Sequence, residues 1–288
     1  MKKYLKLARV KHYIKNIFIL LPLFFGQKLF DLNLILKAVL GFFAFGLVSS
    51  VVYVINDIND AESDAKHPTK RLRPVASGAI SKKNAIVFAC ILAFVSVICT
   101  FFACADNLIS SSFIIVYFVI NVLYSIKLKN YPIVDVTILA SGFLLRLLFG
   151  AGIANIEISS WLYLTVLTLS FYLGLGKRRN ELLRQSDETR KVLKYYNYEF
   201  LDKTMYMFMA VAIVFYSLWC VDPITIERIS TDKIIWSVPF VIVILLRYSF
   251  IVEGDSDGDP AEVILKDKPL LLLGLCYFLF ILSLIYLL

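Results

Sequence analysis

Apolar residues in this chain gather into about nine runs close to the roughly 20 residues an α-helix needs to cross the hydrocarbon of a bilayer. The runs lie near 15–30, 35–56, 85–104, 108–126, 133–153, 160–176, 204–221, 233–252 and 269–287. Charged residues are concentrated in the connections between them. Those at 57–84 and 177–203 are long and polar, and another polar stretch occupies 253–268. Neither of the two long connections is rich in Gly or Pro, so both read as helix–loop–helix caps. The pattern predicts an all-α, polytopic integral membrane protein with a single domain over 1–288. Its function is expected on the face that carries these loops.

Composition agrees with a lipid-embedded chain. Hydrophobic residues make up 59% of the 288, charged residues only 18%, and mean hydropathy is +0.77. A soluble domain has about 25% charged residues, so the polar surface here is too small to cover a water-soluble globule. The net charge of +8 is a topology signal, because 24 of the 30 basic residues fall in segments on one side of the nine runs and four on the other. The positive-inside rule then predicts a cytoplasmic N-terminus and cytoplasmic long loops, with the C-terminus outside. No nucleic-acid partner is expected. The first run follows a basic start, as a secretory leader would. Residues 22–30 offer no small-x-small cleavage site and eight runs follow, so it reads as a span.

Five cysteines (Cys90, Cys99, Cys104, Cys220, Cys276) sit in or at the ends of apolar runs at no metal-ligand spacing. With only two histidines, a His-based metal site is close to excluded. Residues 56–78, NDINDAESDAKHPTKRLRPVASG, carry the clearest chemistry. If the second span continues as helix, Asp57, Asp60 and Asp64 share one face beside Asn56. Crowded carboxylates repel one another unless a cation neutralises them. Hard oxygen donors without His or Cys select magnesium or manganese, which keep open positions for a substrate phosphate. Lys70, Arg71 and Arg73 follow at once, supplying positive charge for the anions that such a metal bridges. A solvated acidic helix end is the alternative.

This stretch resembles the first aspartate-rich motif of the UbiA prenyltransferase superfamily, intramembrane enzymes with nine transmembrane helices. The matching residues are Asn56, Asp57, Asp60 and Asp64, closed by Arg73-Pro74 and Ser77-Gly78. Members of that superfamily ordinarily carry a second motif, D-x-x-x-D, between the sixth and seventh spans, and the two together chelate the pyrophosphate of an isoprenyl donor. Here that loop reads GKRRNELLRQSDETRKVLKYYNYEF. Asp187 and Glu188 are adjacent, Asp202 is distant, and Lys177-Arg178-Arg179 with Glu181 stands where the acidic motif would be. Three cations at a membrane face read as a phosphate site; plain positive-inside charge is the other reading.

The departure resembles the branch of the superfamily whose members use polyprenyl phosphate and phosphoribosyl pyrophosphate. The likeness extends to Lys15-Asn16, His67-Pro68-Thr69-Lys70-Arg71, Tyr124-Ser125 with Lys127, and Asp135. It continues through Ser141-Gly142-Phe143 with Arg146, Gly176-Lys177-Arg178 with Glu181, Gly258-Asp259-Pro260-x-Glu262 and Lys266-Asp267-Lys268-Pro269. The resemblance implies magnesium-dependent transfer of a 5-phosphoribosyl group to a decaprenyl-like phosphate at a bacterial inner membrane, with a role in cell wall biosynthesis and an oligomer compatible with it. It casts Asp57, Asp60, Asp64 and Lys177 as catalytic, the three aspartates as metal ligands. Lys15, Asn16, Asn56, Lys70, Arg71, Arg73, Tyr124, Lys127, Arg146, Arg178 and Glu181 become substrate contacts. Arg146, inside an apolar run, has a functional partner by default, with an ion pair to Asp135 as the structural alternative. Arg247 lies near a span end, where snorkelling accounts for it. An isoprenyl transfer to an aromatic acceptor is the competing enzyme. A transporter would need internal repeats and charge on several mid-membrane segments.

Overall fold

The computed structural model describes residues 2–66, 70–183, 191–254 and 258–287. His67-Pro68-Thr69 and the Asp187-Glu188 pair lie outside these residues. Every regular element among the described residues is helical, and no strand occurs among them. Among the described residues, seven helices are long and apolar enough to cross a membrane: Leu32–Asn59, Lys82–Ala103, Leu108–Ile126, Val134–Ala154, Tyr198–Val221, Lys233–Glu253 and Lys268–Tyr286. Short polar side chains start several of them by accepting otherwise unpaired backbone N–H groups. Asp31 accepts from Asn33 and Leu34 at 3.0 and 3.1 Å, Asn197 from Phe200 at 2.7 Å, and Asp267 from Leu270 at 2.7 Å. Large apolar side chains remain exposed on these helices, among them Phe94, Val97 and Phe250. Such exposure is expected when lipid rather than water is the solvent.

Two of the nine expected runs are not among these seven. Residues 160–176 belong to a continuous helix, Ser160–Leu183, which is not among the seven. Residues 15–30 do not form one long helix. Val10–Ile19 winds as a tighter 3₁₀ segment, followed by the short helix Leu21–Phe25. Side-chain bonds draw that segment against its neighbours: Tyr13 shares a hydrogen bond of 2.9 Å with Ser50, and Asn16 Nδ2 donates to the Phe42 carbonyl at 2.9 Å. Contact is closest at Gly150, where an added Cβ would stand 2.1 Å from the Ile19 carbonyl oxygen.

The chain forms two compact units. The first comprises Met1–Leu23, Asp31–Lys129 and Leu145–Ile156. Leu32–Asn59 is its central helix and packs along Lys82–Ala103. One apolar cluster gathers Phe45, Tyr117, Phe149 and Ile153; another gathers Leu7, Val54, Val75 and Ile80. The second unit comprises Phe24–Phe30, Asn130–Leu144 and Glu157–Leu288, and in it Ser160–Leu183 packs along Tyr198–Val221.

Candidate active site

In the first unit the aspartate segment is not the uninterrupted helix the sequence suggests. Leu32–Asn59 ends at Asp60, whose backbone (φ −90°, ψ 0°) leaves the helical range, and Ala61–Lys66 begins a separate helix. The break separates the partners of the three carboxylates. Asp57 is only 2% exposed; its Oδ1 accepts a 2.6 Å hydrogen bond from Arg9 Nη2 and lies 3.4 Å from Arg73 Nη1. Arg73 Nη1 also donates to Asp64 Oδ2 at 2.6 Å. Asp60 is engaged by Lys129, whose Nζ reaches its two oxygens at 3.0 and 3.1 Å. The segment therefore contains an alternating chain, Arg9–Asp57–Arg73–Asp64, and a separate Lys129–Asp60 pair. Each of the two buried carboxylates thus has a cation against it.

Among the described residues, no three His, Cys, Asp or Glu side chains are grouped to hold a metal. The turn at Asp60 directs that carboxylate to Lys129, while Asp57 and Asp64 share Arg73. The donor set still suits a hard divalent cation. Oxygens of Asp57 and Asp64 converge on one atom, Arg73 Nη1, which stands where a bridging cation would.

The remaining predicted residues of this unit are spread around the same segments. Lys70 is half-buried and Arg71 exposed in the turn Lys70–Leu72; Asn56 is half-buried one residue before Asp57. Tyr124 is half-buried and Lys127 exposed at the end of Ser111–Ile126, and Lys15 is half-buried beside the buried Asn16. Arg146, buried within Val134–Ala154, donates from Nε to Asn16 Oδ1 at 2.8 Å and from Nη2 to Ser49 Oγ at 3.1 Å. Its guanidinium lies over the rings of Phe45 and Tyr117, 4.5 and 4.9 Å from their centroids. Asp135 is not its partner.

Asp135 belongs instead to the second unit. There Lys177, Arg178 and Arg179 continue the helix Ser160–Leu183 rather than opening a loop. Consecutive helical residues project about 100° apart, so the three cations do not face one ligand, and each meets its own carboxylates. Lys177 Nζ donates to Asp259 Oδ2 at 2.7 Å. Arg178, 0% exposed, donates from Nε to the equally buried Asp135 at 2.5 Å and from Nη1 to Glu181. Arg179 pairs with Asp202 at 2.7 Å and Glu253 at 3.1 Å and donates to the Tyr198 hydroxyl. Tyr196 donates to the other Asp135 oxygen at 2.7 Å. Burial, and then this hydrogen bond, hold its phenol above the usual range, so the proton stays on Tyr196. The same hydroxyl accepts from the N–H of Ile133, a β-branched residue at φ 68°, a conformation that needs such support.

Two late motifs are explained by this unit. Asp259 receives Lys177 and caps Pro260–Lys266 through the Ala261 N–H at 3.0 Å. Gly258 has φ +69°, and an added Cβ would lie 3.1 Å from Lys177 Cα and 3.2 Å from the Gly176 carbonyl oxygen. We expect Gly258→Ala to cost about 1–3 kcal/mol, read as a lowered thermal midpoint in detergent; an unchanged midpoint would mean that the loop does not hold this conformation. Arg247, expected only to snorkel, forms a two-point ion pair with Asp267 at 3.1 and 2.7 Å. That hydrogen bonding lowers the Asp267 carboxyl below its ordinary value.

Residues 17–180 match the UbiA prenyltransferase family. A decaprenyl-phosphate phosphoribosyltransferase of Corynebacterium glutamicum is 33% identical, over 98% of this chain and 86% of its own. The protein of the same name in Mycolicibacterium smegmatis is 31% identical, over 95% and 89%. A UbiA homolog from Archaeoglobus fulgidus, solved bound to DMAPP and Mg2+, superposes with a TM-score of 0.74 at 21% identity, covering 99% of this chain and all of that one.

Proposed function

Because the chain belongs to the UbiA prenyltransferase family, we propose that it transfers a 5-phosphoribosyl group from phosphoribosyl pyrophosphate to a polyprenyl, decaprenyl-like phosphate and releases pyrophosphate. The observation that carries this reading is the near-full-length likeness to relatives bearing the name of that activity. The loss of a second D-x-x-x-D motif agrees with it, since the donor is then not a simple prenyl diphosphate. We take the whole chain, 1–288, as the working unit, in a bacterial inner membrane. Residues 15–30 and the Ser160–Leu183 helix would complete nine crossings, with the N-terminus and the polar cap segments cytoplasmic and the C-terminus outside.

Asp57, Asp60 and Asp64 are the candidates to hold magnesium or manganese, which when bound neutralises charge on the leaving pyrophosphate. Arg73, with Lys70 and Arg71, would donate to pyrophosphate oxygens, and Asn56 would add a neutral donor. In the second unit Lys177 would take a phosphate monoester, that of the donor or of the lipid; in the first unit Lys15, Tyr124 and Lys127 are candidate substrate contacts. Arg146 would hold Asn16, and through it the segment bearing Lys15. Arg178 and Glu181, paired with each other, would shape the end of the helix that presents Lys177. The acceptor phosphate has its second pKa near about 6, so it arrives ionised and needs no general base. Its oxygen bonds to ribose C1 as the C1–pyrophosphate bond breaks, with inversion, and the protein's part is alignment and charge.

Purified protein given magnesium and phosphoribosyl pyrophosphate should release pyrophosphate only when a polyprenyl phosphate is present. Release without the lipid, or none with it, would contradict the reading. Lys177→Ala should raise the KM for one phosphate substrate about tenfold, the loss of one charge-assisted contact, with kcat less affected. An unchanged KM for both substrates would reduce Lys177 to the partner of Asp259.

A further inference from the structure

We propose that Arg73 is an internal counter-cation that occupies the metal position between Asp57 and Asp64, so that the divalent ion enters tightly only with a pyrophosphate group that takes the guanidinium over. The inference rests on the metal reading of the aspartate segment given above. Three observations support it. A single nitrogen, Arg73 Nη1, contacts both carboxylates, at 2.6 Å to Asp64 and 3.4 Å to Asp57. A metal bound by the same two oxygens and this nitrogen exclude each other, since both fill one position. Both carboxylates are buried while the Arg73 side chain keeps 26% of its surface exposed. The guanidinium can therefore swing toward a ligand, whereas the carboxylates cannot turn to water.

Arg9 differs from Arg73 in how it is held. It follows the helix Lys2–Ala8 in the left-handed region, at φ 50°, and its guanidinium lies 4.6 Å from the Tyr53 ring centroid. Its side chain is about as exposed as that of Arg73, 23% against 26%, and its ion pair among the described residues is with Asp57, at 2.6 Å. The N-terminal helix carrying it is tied down by Lys3 and Lys6, which donate to the carbonyls of Ala79 and Leu72 at 3.0 Å each. Arg9 is thus the fixed positioning cation of Asp57 and Arg73 the exchangeable one. When Arg73 leaves for a phosphate oxygen, the incoming cation replaces its charge and the buried carboxylates are never left uncompensated. The pyrophosphate supplies the anion that the freed guanidinium requires.

The test is equilibrium dialysis of the full-length protein in detergent against Mn2+, with and without inorganic pyrophosphate, measuring the metal retained on the protein. Wild type should bind Mn2+ at least about tenfold more tightly when pyrophosphate is present. Arg73→Gln should bind Mn2+ alone about tenfold more tightly than wild type and lose most of the pyrophosphate dependence; Arg73→Lys should keep part of it. Equal wild-type affinity with and without pyrophosphate would overturn the proposal without needing any variant. So would an Arg73→Gln protein that keeps the wild-type thermal midpoint but binds Mn2+ no more tightly. Failure of wild type to retain Mn2+ under both conditions would instead overturn the metal reading itself, and this inference with it.

Discussion

Asp64→Asn should lower kcat about 10²–10³-fold, the usual loss when a preorganised charge at a transition state is removed. The substitution keeps the size of a buried side chain that accepts from Arg73 at 2.6 Å, so the protein should still fold and remain in the membrane. It removes one of the two carboxylates that converge on Arg73 Nη1, and activity should not return at raised magnesium. Steady-state kinetics over a magnesium titration decide the matter. Full activity at ordinary magnesium would mean that the Asp57–Asp64 pair serves the fold alone; full recovery at high magnesium would limit Asp64 to metal affinity and contradict its role in the transition state.

The largest effect on stability is expected at Asp135. It is fully buried and accepts from Arg178, itself fully buried, at 2.5 Å and from Tyr196 at 2.7 Å. Asp135→Ala leaves a guanidinium inside the protein without its buried partner, though still beside Glu181. Removing one partner of a buried ion pair costs about 3–5 kcal/mol. It should also release the Tyr196 hydroxyl that supports the left-handed backbone at Ile133. Folded yield and thermal midpoint in detergent should both drop. Adding Arg178→Met to Asp135→Ala should recover much of the loss, because the stranded charge is gone. A stable Asp135→Ala single variant would show that the charge finds another outlet.

These expectations indicate which features a linear sequence discloses. The apolar runs at 35–56, 85–104, 108–126, 133–153, 204–221, 233–252 and 269–287 were legible because lipid as solvent leaves long stretches with few charged interruptions. The run at 15–30 was not, because its shape is set by distant bonds from Ser50, Phe42 and Arg146 rather than by its own hydropathy. The aspartate segment was legible from composition alone: acids next to bases at the end of a span. Its wiring was not. Arg9 lies 48 residues from Asp57 and Lys129 lies 69 from Asp60, and in the sequence both look like ordinary topology charge. Asp135 is nearer in sequence to Lys127, Lys129 and Arg146 than to Arg178, which lies 43 residues away, and only packing selects Arg178.

The basic trio offered a usable signal. GLGKRRNELL has no Pro or Gly after Gly176, so the helix runs on and consecutive cations must diverge. The carboxylates that receive them, Asp259, Asp135, Asp202 and Glu253, come from four other stretches of chain. Read in three dimensions, the trio is a set of paired charges with Lys177 the most exposed of the three.

The central claim is that the pyrophosphate handled by the aspartate segment belongs to a phosphoribosyl donor and that the lipid is the acceptor. A single competition reaction tests it: purified protein, magnesium, phosphoribosyl pyrophosphate, polyprenyl phosphate, a prenyl diphosphate and an aromatic acceptor, with the lipid products identified by mass spectrometry. The account predicts one new lipid, polyprenyl phosphate carrying a single phosphoribosyl group, and no prenylated aromatic. A prenylated aromatic product, with the polyprenyl phosphate untouched, would contradict it.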